Sequence, residues 1–270
     1  MTKKKSILFY ILIFIFLDID IILAEISHTG KLLTNDTTWN PPFKSSIVNS
    51  LQNRRYEDVI ALYRNTKLEE KRLNFHRYIL YSLAISKIDK NTLKTFYIAE
   101  LNKSLRLGYK NKSKSPRHSV NYHISYSILD LLQEYFYNEK DVIDLCNNIL
   151  DNKEYSEIWA REVYIIILKN QIYNDKNLNT DKKKIIYLTN LLTDDSAGKK
   201  EHWVRPGVKT KEAMMNESII RYLHTFDGDE ISNTIKNDPN LLKNANDGKK
   251  RAVERIIRNT LNKKKSKSAK

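Results

Sequence analysis

Apolar residues recur every three or four positions along most of the chain, which is the spacing of one buried face of an α-helix. The segment on which the organisation of the chain is clearest is residues 50–66, SLQNRRYEDVIALYRNT, where two such faces meet around a polar turn. We interpret this segment as the turn and second helix of a helical hairpin. The same spacing predicts further helices over residues 73–88, 92–107, 119–136, 141–150, 156–170, 182–192, 210–222, 229–237 and 249–261.

Residues that interrupt helices are scarce. The chain of 270 residues contains 6 Gly and 5 Pro, and most of them fall between the apolar blocks. This distribution favours long helices over many short strands. An apolar fraction of 41% is sufficient for a sizeable core. The sequence therefore predicts an all-α fold of stacked helical hairpins that follow an N-terminal signal or anchor segment.

The N-terminal segment has the pattern of a signal peptide. Three lysines at positions 3–5 precede an apolar run over residues 6–17, and Asp18 and Asp20 interrupt its extension. The run is shorter than the roughly 20 residues that span a bilayer. We expect a cleaved signal peptide or an uncleaved membrane anchor, so that the body of the protein is periplasmic, secreted or tethered to the membrane. A buried helix of a cytosolic domain is the remaining alternative.

Composition and apolar spacing divide the chain into six parts. They are a signal or anchor segment, a linker, a repeat domain, a loop, a C-terminal helical cap and a disordered basic tail. These parts occupy residues 1–24, 25–44, 45–192, 193–209, 210–261 and 262–270, respectively. Pro41 and Pro42 end the linker, for which we expect extended backbone.

The piece YEDVIALY at residues 56–63 resembles the inter-helix turn and second helix of a tetratricopeptide repeat. An aromatic residue opens the helix, acidic residues follow, and an apolar pair would pack on the preceding helix. A shift of 34 residues, the period of this family, brings Tyr63 onto Tyr97 and Val59 onto Leu93. The resemblance covers about residues 44–192. It implies an α-solenoid scaffold that binds other proteins. Together with the N-terminal signal or anchor segment, it predicts an adaptor in the cell envelope or extracellular space.

In that interpretation, tyrosines of the first hairpins are candidates to line a partner-binding surface. The candidates are Tyr56, Tyr63, Tyr78, Tyr81 and Tyr97. At helical spacing such residues also serve as packing between hairpins, and the sequence alone does not separate the two roles. Tyrosines beside lysine and arginine can also stack single-stranded nucleic acid, but core packing is the commoner role.

The net charge of +15 is concentrated partly in the C-terminal tail. The tail lysines are Lys263, Lys264, Lys265, Lys267 and Lys270. Such a tail can attract an anionic membrane surface, and a merely solubilising role is an equally good explanation. Because the chain is expected to be exported, nucleic acid is not an expected partner.

The segment EHWVRPG at residues 201–207 is the one candidate for catalysis. Glu201, His202 and Arg205 bring a carboxylate, an imidazole and a guanidinium together, as acid–base cleavage of a phosphodiester would require. The alternative function is therefore a secreted basic toxin or ribonuclease. A loop that packs on the end of a helix is the commoner explanation, so we predict that the protein is not an enzyme.

Cofactor and metal sites are not predicted. The glycines do not cluster as a phosphate-binding loop requires, and the histidines lack further ligands at suitable spacing. Cys146, the one cysteine in the sequence, lies on an apolar helical face and is expected to be a buried small hydrophobic residue.

Overall fold

The computed structural model describes residues 41–108, 119–192, 211–238, 241–242, 250, 253–254 and 256–258. Throughout these residues the regular secondary structure is helical, without strands, so the prediction of an all-α fold is confirmed. The α-helices are α1 (Pro41–Gln52), α2 (Tyr56–Asn65), α3 (Leu73–Ala84), α4 (Lys90–Gly108), α5 (Val120–Tyr135), α6 (Lys140–Asp151), α7 (Lys153–Asn174), α8 (Asp181–Leu191), α9 (Lys211–Leu223) and α10 (Gly228–Asn237). A short 3-10 helix, Glu70–Arg72, precedes α3.

The helix bounds differ from the predicted ones mainly at the ends. Pro41 and Pro42, expected at the end of an extended linker, lie in the first turn of α1. Proline is tolerated there because the first amide groups of a helix have no intrahelical acceptor. Helix α7 begins three residues before its predicted start, because the side chain of Asn152 accepts a hydrogen bond from the amide of Tyr155 and caps it.

The chain divides at Ile128, within α5, into two compact units. Unit 1 comprises Met1–Ile128 and unit 2 comprises Leu129–Lys270. The core of unit 1 is formed mainly by fully buried side chains of α3, α4 and the first half of α5, together with one residue of α1. Its largest members are Ile47, Ile79, Leu80, Leu83, Tyr97, Leu101, Ile124 and Ile128. The hydroxyl of Tyr97 donates to the carbonyl of Leu80 at 2.7 Å and joins α4 to α3.

In unit 2 the residues after position 210 share a core with helices that precede position 192. The shared core contains side chains from α7, α8, α9 and α10, together with Val253 and Ile256. The hydroxyl of Ser218 on α9 lies 2.7 Å from the carbonyl oxygen of Arg161 on α7. The described helices of the predicted C-terminal helical cap, α9 and α10, therefore share the core of unit 2.

A buried carboxylate also joins α7 to α9. Glu162 is almost fully buried and accepts a hydrogen bond from Nε of Arg161 at 2.9 Å. Nη1 of Arg221 lies 3.8 Å from the same carboxylate oxygen. Because both guanidinium groups are partly exposed, they compensate the buried charge while remaining in contact with solvent.

Cys146 is buried in α6, as the sequence predicted. Burial raises the pKa of its thiol to about 12, because an apolar environment disfavours the thiolate. At pH 8 the thiol is then almost entirely un-ionised, and only the thiolate reacts with electrophiles.

We expect Cys146 of the native protein to resist a maleimide reagent at pH 8 and to react within minutes in denaturant. Mass spectrometry of samples quenched at increasing times measures both rates. Equal rates in the two conditions would show that the thiol is accessible in the folded chain.

Candidate functional site

A cleft of about 270 Å³ opens on unit 1. Its wall is formed by the end of α2, the segment that connects α2 to the 3-10 helix, one residue of α3, the second half of α4 and the first turns of α5. The lining residues are Tyr63, Arg64, Thr66, Lys67, Leu68, His76, Glu100, Lys103, Ser104, Leu107, Asn121 and Ile124. They come from four separate stretches of the chain, so the cleft exists only when unit 1 is folded.

The rim of the cleft is cationic and its one lining carboxylate is buried. The side chains of Arg64, Lys67 and Lys103 are 50%, 80% and 59% exposed, respectively. The side chain of Glu100 is 9% exposed. The positive groups are therefore presented to solvent, and the negative group lies beneath them.

Glu100 orients two of these cations. Nε of Arg64 donates to Oε1 of Glu100 at 3.2 Å, and Nζ of Lys103 lies 3.9 Å from Oε2. The guanidinium of Arg64 also lies over the ring of Phe96, at 5.4 Å from its centroid. The salt bridge and the ring contact together hold Arg64 across the edge of the cleft.

Lys67, the third cation, is paired outside the cleft. Its Nζ lies 3.1 Å from Oε1 of Glu69, and Nζ of Lys71 lies 3.4 Å from Oε2 of the same carboxylate. The hydrogen bond from Lys67 and the neighbouring Lys71 hold the pKa of Glu69 below its usual range. These groups are exposed, and such ion pairs are weak and exchangeable.

His76 fixes the wall of the cleft. Its Nδ1 lies 2.9 Å from the carbonyl oxygen of Arg72, and its Nε2 lies 3.1 Å from the carbonyl oxygen of Thr66. In either tautomer one ring N–H donates to one of these carbonyl groups. The buried ring therefore ties α3 to the segment that follows α2.

Tyr63 packs against this histidine. Its ring meets the ring of His76 edge to face, with centroids 5.0 Å apart, and contacts Phe96 in the same way at 5.5 Å. Burial, and to a smaller extent the negative charge of Glu100, raises the pKa of Tyr63 above its usual range. Tyr63 is consequently a neutral phenol in the wall of the cleft.

Leu107 is the exposed apolar residue of the cleft, with 43% of its surface accessible. Leu68 and Ile124 line the same cavity. A large aliphatic side chain in this position adds apolar contact area beside the cationic rim.

Small polar groups line the side formed by α4 and α5. The hydroxyl of Ser104 donates to the carbonyl of Asn121 at 2.8 Å and accepts from the hydroxyl of Ser125 at 2.9 Å. Oδ1 of Asn121 is buried and has no hydrogen-bond partner within the part of the chain that the structure describes. Among the described residues, this side of the cleft therefore contains a buried acceptor without a hydrogen-bond donor.

No family model, curated protein or solved structure matches this chain. The resemblance to tetratricopeptide repeats consequently stays a prediction.

The structure buries four of the five tyrosines proposed for a binding surface. Tyr63, Tyr78, Tyr81 and Tyr97 are at most 8% exposed, and only Tyr63 among them lines the cleft. Tyr56, at the start of α2, is half-buried and lies outside the cleft lining. Their environment is that of packing residues, and a direct contact with a partner stays a prediction.

The other predicted positions lie outside the described residues. They are the catalytic candidates Glu201, His202 and Arg205, the tail lysines, and residues 1–24. In the described ranges no helix is long and apolar enough to cross a bilayer. Over the same ranges, no three His, Cys, Asp or Glu side chains are grouped as metal ligands.

Sequence analysis missed Arg64, His76, Glu100, Lys103 and Asn121. One signal was present, because Glu100 lies three and four residues after Tyr97 and Phe96, on the apolar face of α4. A carboxylate within an apolar face requires a cation from elsewhere in the fold. Its partner, Arg64, is 36 residues away, so helical spacing alone does not identify it.

Proposed function

We propose that this protein is a non-enzymatic helical adaptor that holds a protein partner, and that the cleft of unit 1 is part of the contact surface. The proposal includes a solenoid of hairpins similar to tetratricopeptide repeats. It also places the protein outside the cytoplasm, either secreted or tethered to the membrane by residues 1–24.

The observation that carries the proposal is the combination of an exposed apolar side chain and exposed cations at one concave site. Leu107 is among the few large hydrophobic residues exposed in the described ranges, and it lies beside Arg64 and Lys103. Protein contact surfaces typically surround apolar contacts with a polar rim.

The supports for export come from sequence. The N-terminus has the order of a signal peptide: three lysines come first, an apolar run of 12 residues follows, and two carboxylates come after it. The tail lysines would add affinity for an anionic membrane surface on whichever side the tail lies.

We expect a stoichiometric protein partner to co-purify with the tagged full-length chain from its source cells, and the Leu107→Asn variant to bind that partner about fivefold more weakly. Burying the exposed part of a leucine contributes about 1 kcal/mol, which corresponds to that factor. Titration of the purified partner by calorimetry gives both affinities. Mass spectrometry of the same preparation identifies the mature N-terminus.

Tyr173→Asn is the matched control, because Tyr173 is 59% exposed but belongs to unit 2 and is remote in sequence from every cleft residue. It should bind the partner as the wild type does. If the two variants bind equally well, the cleft does not form the contact surface. If no protein partner is recovered, the adaptor proposal itself fails.

A further inference from the structure

We infer that the cleft takes a short, extended, acidic segment of the partner, with carboxylates on the rim and an aliphatic side chain against Leu107. This inference rests on the proposed adaptor function and specifies the chemistry of the partner. It is carried by the charge of the rim, the exposed leucine beside it and the size of the cavity.

The charge balance of the cleft favours an anion. Arg64, Lys67 and Lys103 contribute three positive charges and Glu100 one negative charge, so the lining carries +2 without counting histidine. Because Glu100 is buried and the three cations are at least half exposed, an approaching segment meets positive charge first. A complementary segment would be acidic.

The salt bridge of Arg64 is compatible with a second carboxylate. Glu100 accepts from Nε of Arg64, and the guanidinium has further N–H donors in its planar fork. Since half of the Arg64 side chain is exposed, a carboxylate of the partner can reach it while Glu100 keeps it in place. Glu100 is therefore a positioning residue for the rim.

The exposed leucine of the cleft favours a peptide over a simple anion. Leu107 is 43% exposed and lines the same cavity as Leu68 and Ile124. A phosphate or other small anion has no apolar group that could cover this leucine, whereas a peptide side chain can do so.

The size of the cleft favours a short extended segment. Its volume of about 270 Å³ lies just below the roughly 300–1,000 Å³ of pockets that enclose drug-sized ligands. An α-helix with its side chains is about 10–12 Å wide and requires a larger cavity. Leu68, Leu107 and Ile124 provide apolar contact for one aliphatic side chain.

The test uses three fluorescein-labelled peptides of the pattern Gly-X-Leu-X-Leu-X-Gly, in which X is Glu, Gln or Lys. Fluorescence anisotropy with the purified full-length chain measures binding at about 100 mM salt, where the Debye length is about 10 Å. We expect the Glu peptide to bind at least about tenfold more tightly than the Gln peptide, and the Lys peptide not to bind. Added salt should weaken the Glu complex.

Charge reversal at the rim provides the matched variants. Lys103→Glu should weaken binding of the Glu peptide about tenfold, because it places like charges together. Lys87→Glu makes the same change of net charge at an exposed position between α3 and α4, outside the cleft lining, and should leave the affinity unchanged. Circular dichroism of both variants verifies that the fold is retained.

The inference is overturned if the Glu and Gln peptides bind equally, if none binds, or if the two lysine variants lose affinity to the same extent. These outcomes are separable from a failure of the adaptor proposal. If a protein partner binds Leu107→Asn more weakly but binds Lys103→Glu as it binds the wild type, the adaptor proposal stands and the inference of an acidic segment fails. If no protein partner is recovered, the adaptor proposal itself fails.

Discussion

Replacing Tyr97 with alanine is expected to destabilise unit 1 by about 3–5 kcal/mol, the usual cost of truncating a buried aromatic residue. Tyr97 is 0% exposed, and its hydroxyl reaches the carbonyl of Leu80. The variant loses apolar contact area, leaves a cavity between α4 and α3, and removes that hydrogen bond. Because a domain is stable by only about 5–15 kcal/mol, the loss is a large part of the total. Urea unfolding followed by far-UV circular dichroism measures it.

Tyr97→Phe separates packing from hydrogen bonding. The phenylalanine keeps the ring and loses only the hydroxyl, so we expect a cost of about 1 kcal/mol. A wild-type unfolding midpoint for Tyr97→Ala would contradict the structure. It would instead support the sequence-based hypothesis that Tyr97 lines an open surface.

The helices themselves could be predicted because apolar spacing along the chain reports directly on helical faces. The sequence places Leu93, Phe96, Tyr97, Leu101 and Leu105 on one face of α4, and the structure buries all five. Spacing identifies the buried face of a helix, but it does not identify the residues that this face meets. For that reason the four buried tyrosines were equally compatible with a binding surface.

The cleft could not be predicted because its interactions join distant residues. Arg64 meets Glu100 across 36 positions, and Nε2 of His76 approaches the carbonyl of Thr66 across 10. Each contact depends on how α2, α3 and α4 pack. The local signals, a glutamate on an apolar face and a histidine within a hydrophobic helix, identify residues that require partners without identifying those partners.

Tyr63 connects the core of unit 1 to its cleft. The ring of Tyr63 contacts the rings of His76 and Phe96, and Phe96 in turn lies under the guanidinium of Arg64. The packing of Tyr63, His76 and Phe96, from α2, α3 and α4, therefore positions the rim cation Arg64. The tyrosine proposed from sequence as a binding residue is accordingly placed to act through its neighbours.

In unit 2, replacing Trp159 with alanine is expected to cost about 3–5 kcal/mol. Trp159 is 2% exposed on α7, the helix that packs on both α6 and α9. Its loss removes contact area at the centre of this arrangement, and the flanking helices cannot close the cavity without shifting. Urea unfolding again gives the free energy.

Cys146 provides a second measurement of the Trp159 variant, because it is buried in α6 of the same unit. If the thiol reacts with a maleimide only when unit 2 opens, a loss of about 3 kcal/mol should raise the labelling rate more than about 100-fold. Glu157→Ala, an exposed change on α7, should alter stability by no more than about 0.5 kcal/mol and leave the rate almost unchanged. An unchanged rate in Trp159→Ala, together with a lower unfolding midpoint, would mean that Cys146 is reached by a local opening that does not involve α7.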